Sequence, residues 1–365
     1  MRRFLAVLLC IFASEVYGDE QPRVFESPRA LGRGGTIVAS YDSYEGARHN
    51  PAVLGDFAKT FQLRIIELDA LAGQNTLNLI SDFSDMFSSD DPLASLRKFD
   101  DKFGERQYFR GQISALSMRI GRFEISPFGV NSSFLDLRNR QVPEVEWSAD
   151  TYGGIQMSYG RPLGKTWLVG MTVRPMIRKV FAGELTLTDL AEFISPDDSK
   201  FKDQAEMQSG KGIGVDLGML WTPSKTFRFG MTAQNVGDTS FKADGDGPAP
   251  AAMKQVLSMG VLKRVEWGKL HNDMTFDIQS LMNREAINIL RLIHLGNEFG
   301  YSAFTPDNDF GLLLGLNEGY FGGGAFADLW IGRIDITNYA VELGVTPGQR
   351  MDRRWAFSWR TAMTF

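Results

Sequence analysis

From Ile213 to Trp221 the chain alternates without a break: Ile213, Val215, Leu217, Met219 and Trp221 fall on one side, Gly214, Asp216, Gly218 and Leu220 on the other. Successive side chains of a strand point to opposite faces, so this period of two predicts a β-strand with one greasy face. After Thr222-Pro223-Ser224-Lys225, a turn by composition, Phe227, Phe229, Met231 and Ala233 alternate with Arg228, Gly230, Thr232 and Gln234, which completes a hairpin. The pattern recurs where Trp167, Val169, Met171 and Val173 oppose Leu168, Gly170, Thr172 and Arg174, and where Met274, Phe276 and Ile278 oppose Thr275, Asp277 and Gln279. The polar faces carry glycine and charge. Antiparallel sandwiches alternate in the same way, so periodicity alone leaves sandwich and barrel open.

Connection lengths separate the two. The pattern predicts about fourteen strands, at 57–69, 108–120, 123–137, 147–160, 165–182, 211–221, 225–235, 254–264, 270–281, 291–302, 309–317, 320–328, 331–342 and 354–365. Connections after even-numbered strands are short, such as Gly121-Arg122 and Arg161 to Gly164. The long ones, roughly 70–107, 183–210, 236–253 and 343–353, follow odd-numbered strands. That asymmetry belongs to a transmembrane antiparallel β-barrel with short periplasmic turns and longer outer loops. Trp355, Phe357, Trp359, Thr361, Met363 and Phe365 share one face of the last strand, and Trp359 with the terminal Phe365 resembles the signal read by the bacterial barrel-insertion machinery. Trp167, Trp221, Trp267 and Trp355 sit at strand ends, as an interfacial girdle requires. A mean hydropathy typical of soluble chains does not oppose this fold, because alternating strands average out.

The start of the 365-residue chain fixes the expected compartment. Arg2 and Arg3 precede an apolar run from Phe4 to Ala13 and then Val16-Tyr17-Gly18, as in a cleaved secretory signal peptide. The run is shorter than the roughly 20 apolar residues of a spanning helix. We therefore expect a signal peptide at 1–18, an N-terminal hatch or plug segment at 19–56 and the barrel at 57–365, in the outer membrane of a Gram-negative bacterium. Its surroundings would be outer-membrane lipid and lipopolysaccharide. A net charge of −5 with no basic stripe argues against nucleic acid as a partner. The single cysteine, Cys10, lies in the leader, so the mature chain has neither disulfide nor thiol nucleophile.

Motifs for chemistry are lacking. Gly32-Arg33-Gly34-Gly35 has Ile37 where a dinucleotide loop needs its third glycine, and no βαβ unit surrounds it. Gly160 to Thr166 is one residue short of a phosphate loop and falls in a periplasmic turn. Of the histidines His49, His271 and His294, only His271 has an acidic neighbour in sequence, Asp273, so no metal and no cofactor are expected. No G-x-S-x-G is present; the chain reads as a non-enzyme, with a membrane-embedded hydrolase built from distant strands as a remote third reading. Pro127 and Pro175 interrupt good strands, and proline removes a ladder donor. Each marks a bulge, or, at Pro127, a local gap in the wall that opens sideways into lipid. The segment Leu77 to Tyr108 has apolar residues at helical spacing, and Thr188 to Met207 reads as an acidic outer loop.

Two stretches carry a family resemblance: Ala30-Leu31-Gly32-Arg33-Gly34-Gly35 leading to Asn50-Pro51-Ala52, and the closing region with "GLNEGYFGGG" and "ELGVTPGQRMDRRW". The chain thereby resembles the FadL-like outer-membrane barrels, which include long-chain fatty acid transporters and PorV-like and TraF-like branches. The resemblance implies fourteen strands, an N-terminal hatch inside the barrel, and passive movement of hydrophobic molecules that leave near a strand kink. It also implies that Gly32, Gly34, Gly35, His49, Asn50, Pro51 and Ala52 form the hatch or ligand gate. His49 stands where an aromatic residue is usual and Val53-Leu54 where Ala-Gly is usual, which looks closer to the TraF-like branch. Two functions follow: uptake or binding of small hydrophobic molecules such as fatty acids, or a non-transporting barrel that partners secreted or envelope proteins.

Overall fold

The computed structural model describes residues 23–41, 43–57, 61–78, 104–138, 144–186, 206–245, 247–282, 288–302, 309–329 and 332–364. The expected signal peptide, the terminal Phe365, the acidic outer loop apart from its end and most of the 77–108 segment lie outside these residues.

The N-terminal segment contains α1 (Pro28–Gly32), α2 (Ser43–His49) and a 3-10 turn (Pro51–Asp56). Fifteen strands follow: β1 (Phe61–Gly73), β2 (Arg106–Ile120), β3 (Phe123–Arg138), β4 (Glu144–Leu163), β5 (Trp167–Thr186), β6 (Glu206–Ser224), β7 (Phe227–Gln234), β8 (Phe241–Ala243), β9 (Val256–Trp267), β10 (Leu270–Ile278), β11 (Ile293–Ser302), β12 (Asp309–Asn317), β13 (Tyr320–Leu329), β14 (Gly332–Glu342) and β15 (Met351–Thr364). All but β8 form a closed antiparallel ring of fourteen, in which β15 pairs with β1 and β5 with β6. The expected number and direction of strands are therefore observed.

The differences from the sequence reading have local causes. The first strand starts at Phe61 rather than 57 because the 3-10 turn occupies residues through Asp56. Residues 236–253 are not wholly loop. β6 outruns the short β7, and β8 pairs with the otherwise open edge of β6 at Gly210–Gly212. Left-handed backbone at Asn235 (φ 51), Gly237 (φ 76) and Asp238 (φ 63) turns the chain into that position.

Burial is inverted relative to a water-soluble protein. On β6, Ile213 and Leu217 are exposed while Asp216 is 1% exposed, and on β5 Met171 is exposed while Arg174 is 1% exposed. Apolar residues face outward and charges face the lumen, as in a barrel surrounded by lipid. Inside, the N-terminal segment touches strands on every side of the ring, from Gln112 on β2 to Arg360 on β15. Its apolar residues pack in three places. Phe25 meets Phe128 and Met176, Leu31 meets Leu71 and Tyr339, and Ala47, Ala52 and Leu54 meet Leu168, Leu220 and Leu262.

Candidate functional site

The interior is built where the N-terminal backbone lies flat on glycines of the wall. A Cβ on Gly160, Gly170 or Gly218 would overlap the Asn50-Pro51-Ala52 stretch or the turn after it, and one on Gly230 would meet the Val38 carbonyl. Gly296 and Gly315 do the same for Arg33 and Gly34. Only glycine admits a second backbone so close. This belt explains why the inward faces of the strands carried glycine.

Asn50 ties the motif together. Its Oδ1 accepts from Ala52 N (3.2 Å) and caps the 3-10 turn, while its Nδ2 donates to the Val38 carbonyl (2.8 Å) and the Met219 carbonyl (3.3 Å). Pro51 opens the turn, where its lack of an N–H costs nothing. Gly34 (φ 68) and Gly35 (φ 84) turn the chain after α1, and a side chain on Gly32 would strike Thr337 and Leu313. Ser27 caps α1 by accepting from Ala30 N (3.0 Å) and itself bonds Glu45.

Charge pairs fasten the same segment to the wall. Glu298 on β11 receives Arg29 and, at 2.8 Å, Arg33. Arg48 reaches Glu67 on β1 at 2.7 Å, and Arg360 on β15 meets Glu45 on α2 together with Asp335 on β14 (3.1 Å) and Glu67 (3.5 Å). Asp277 accepts the main-chain N–H groups of Ile37 (2.7 Å) and Val38 (3.0 Å). Within the wall, Glu124 lies between Arg64 and Arg119, and Arg174 pairs with Asp216. Burying such charges is tolerable only when they are paired and hydrogen-bonded.

His49 lines a small cavity beside this network. Burial pushes its imidazole down to about 3, helped by Arg23, Arg48, Arg174 and Arg110, so it is neutral at physiological pH. The cavity measures about 30 Å³ and lies between the segment and β7, β9 and β10. It has room for about two water-sized groups.

The wall bulges around Pro127, where β2 and β3 shift register, while β3 stays paired with β4 throughout, Pro127 opposite Ile155. β2 pairs with β3 at Ser114↔Phe128 and again at Met118↔Ile125, so residues 115–117 face only Ser126 and Pro127, a bulge with Leu116 at φ 53. Ser114, Ser117 and Ser126 hydrogen-bond to one another at 2.7–2.9 Å on the inner side. The ladder also lapses between β4 and β5, where Ile155 and Gln156 lie between the pairs Gly154↔Met176 and Met157↔Val173. Ile155 thus has Pro127 on one side and Pro175 on the other. Directly behind it, Gln156 Nε2 donates to the Ala47 carbonyl of α2 (3.4 Å).

Gly32, Gly34, Gly35, His49, Asn50, Pro51 and Ala52 are thus brought together inside the ring, whereas Trp359 faces outward on β15. The sequence reading missed the acids and arginines that hold the segment, although each stands at an inward position of an alternating strand. It also did not foresee that Glu298 joins His271 and Asp273, whose ligand atoms all lie within 4.8 Å. Asp273 is bound by Arg264 (2.6 and 2.7 Å) and Glu298 by Arg29 and Arg33, so arginines already occupy the acids a metal would need.

These features define a fourteen-stranded transmembrane-type barrel occupied by its own N-terminal segment. The chain shares its fold with the CymD monoaromatic hydrocarbon channel (12% identity, 93% of this chain and 97% of that one, TM-score 0.53). It shares it also with a TodX deltaS2S3 mutant monoaromatic hydrocarbon channel (10% identity, 93% and 98%, TM-score 0.51). A family model described as F plasmid transfer operon, TraF, protein matches residues 157–280, from within β4 to the end of β10. No curated protein matches the sequence.

Proposed function

We propose that the protein is an outer-membrane barrel for passive binding and passage of small hydrophobic molecules, such as fatty acids, with the N-terminal segment as a hatch. The carrying observation is the pair of ladder irregularities, between β2 and β3 and between β4 and β5, that flank Pro127, Ile155 and Pro175 on the lipid side of α2. The hydrocarbon channels of the same fold support this reading. A molecule that displaces α2 from Gln156 reaches a strip of wall with missing ladder bonds and leaves sideways into lipid, driven only by its transfer out of water. Gly32, Gly34 and Gly35 give the hatch its bend, and Asn50-Pro51-Ala52 anchors its far end.

The test is a double variant, Ala47→Cys with Gln156→Cys, that locks α2 to the wall by a disulfide. Uptake of labelled fatty acid or monoaromatic hydrocarbon by cells should fall to the level of a deletion strain and return on reduction. Uptake unchanged by either the lock or the deletion defeats the proposal. One observation favours a second reading: the lumen is filled by paired charges rather than by an apolar tunnel. That suits a barrel whose task is to hold a secreted or envelope protein, and co-purification from crosslinked membranes, with unchanged uptake, is its mark.

A further inference from the structure

The outer surface at the short-turn end carries charge where the alternating pattern calls for grease. On β9, Lys263 shares the outward face with Val261, Val265 and Trp267, and its register partners are Phe227 on β7 and Met274 on β10. It precedes the exposed Trp267 by four residues, roughly 13 Å along the strand, and so lies on the membrane side of that ring. A charge placed there is costly unless its ammonium reaches a polar layer. Lys263 Nζ is turned toward one, donating to Thr226 Oγ1 (3.0 Å) in the turn between β6 and β7. Lys225, the residue before Thr226, is exposed at the same turn, and its carbonyl accepts from the Tyr41 hydroxyl (2.6 Å). Aromatic rings flank this corner: Trp221 stacks on Trp167 (6.0 Å between ring centres) and meets Phe227 edge-on (6.2 Å). Farther along the rim, Arg161 at an outward position of β4 and Lys165 in the turn before β5 are exposed as well. Among the described residues none of these four cations has a carboxylate partner, unlike Arg174 and Arg228 on the inner side. Glu266, the exposed acid of these strand ends, stands at an inward position of β9.

We propose that this rim, from Arg161 on β4 to Lys263 on β9, docks the headgroups of anionic glycerophospholipids in the leaflet that surrounds the short turns. Lys225 and Lys263 bind phosphate at one corner, where Thr226 holds the Lys263 ammonium at headgroup level. Arg161 and Lys165 offer charge to a neighbouring headgroup, and the Trp167 and Trp221 indoles lie against the interfacial part of the same lipids, where amphipathic rings are favoured. Charge complementarity selects the occupant. An anionic headgroup answers cations that no protein carboxylate neutralises, whereas a zwitterionic one brings an ammonium of its own. Barrels of this kind turn their short connections to the periplasm, so these cations meet phospholipid rather than the glycolipid of the opposite leaflet. The docking residues lie on the outer surface and its rim, so the proposal stands whether or not molecules cross the lumen.

The experiment reconstitutes the full chain in vesicles of equal phosphatidylglycerol and phosphatidylcholine, releases it into neutral detergent and counts the retained lipids by native mass spectrometry. Wild type should keep phosphatidylglycerol several-fold in excess over phosphatidylcholine, and the excess should shrink as salt is raised. Lys225→Gln with Lys263→Gln should bring the ratio close to one, and Arg161→Gln with Lys165→Gln should lower it in part. Lys211→Gln, which breaks an exposed pair with Asp244 at the opposite end of the barrel, should leave it unchanged. Heat-modifiable gel mobility checks that each variant remains a folded barrel. The proposal is overturned if wild type retains the two lipids equally, if the Lys225 and Lys263 double variant keeps the full excess, or if Lys211→Gln loses it to the same degree. It is overturned too if inorganic phosphate at matched ionic strength abolishes the excess, since the site would then take a soluble anion.

Discussion

Glu298 stands against two cations, Arg29 and Arg33. Glu298→Gln keeps the shape but leaves Arg29 and Arg33 facing a neutral amide. Breaking a buried pair in this way costs about 3–5 kcal/mol, so the denaturant midpoint of the folded barrel should fall clearly below that of wild type. His49 makes a second residue-level prediction, in pH. Its folded value near 3 lies below the ordinary 6.5, so between these limits the unfolded chain binds a proton that the folded chain refuses. Its contribution is therefore intact above about pH 6.5 and is lost progressively as pH falls toward 3. Melting curves at pH 7.5 and 4.5 should differ less for His49→Gln than for wild type; an identical difference in both would refute the assignment.

At the scale of elements, the glycine belt and the N-terminal segment inside the ring must match. Gly170→Val places a branched side chain where the Pro51 carbonyl lies. The barrel should still form, but Arg33 and Arg48 should become open to trypsin, whereas wild type resists cleavage there. This complementarity also marks the limit of what the sequence discloses. Strands were legible because each wall residue reports its face through a period of two, and β6 shows it from Ile213 to Trp221. The turn at Asn50-Pro51 was legible because an asparagine cap and a following proline have one local meaning. The partners of that motif were not, since Gly170, Gly218 and Asp277 become neighbours only when the ring closes. β8 was missed for a similar reason: three residues carry no period, and only the unmatched edge of β6 calls them into a sheet.

The whole molecule is a vessel with its polarity reversed, which makes charge tolerance depend on depth. Leu217→Arg, midway along β6, should destabilise the barrel in lipid vesicles by about 2–4 kcal/mol, and Met207→Arg near the outer end of the strand by about 0–1. Equal penalties in equilibrium folding titrations would show that β6 is not immersed as its exposed face indicates.

Arg360 gives the closing of this vessel an order. It lies on the last strand opposite Glu67 of the first, and it also grips Glu45 of the inner segment. The seam between the ends of the wall and the seating of its contents therefore share one cation. Neither the seam nor this grip on the inner segment is complete until β15 is in place. A chain that lacks Arg360 loses one cation from both joints at once.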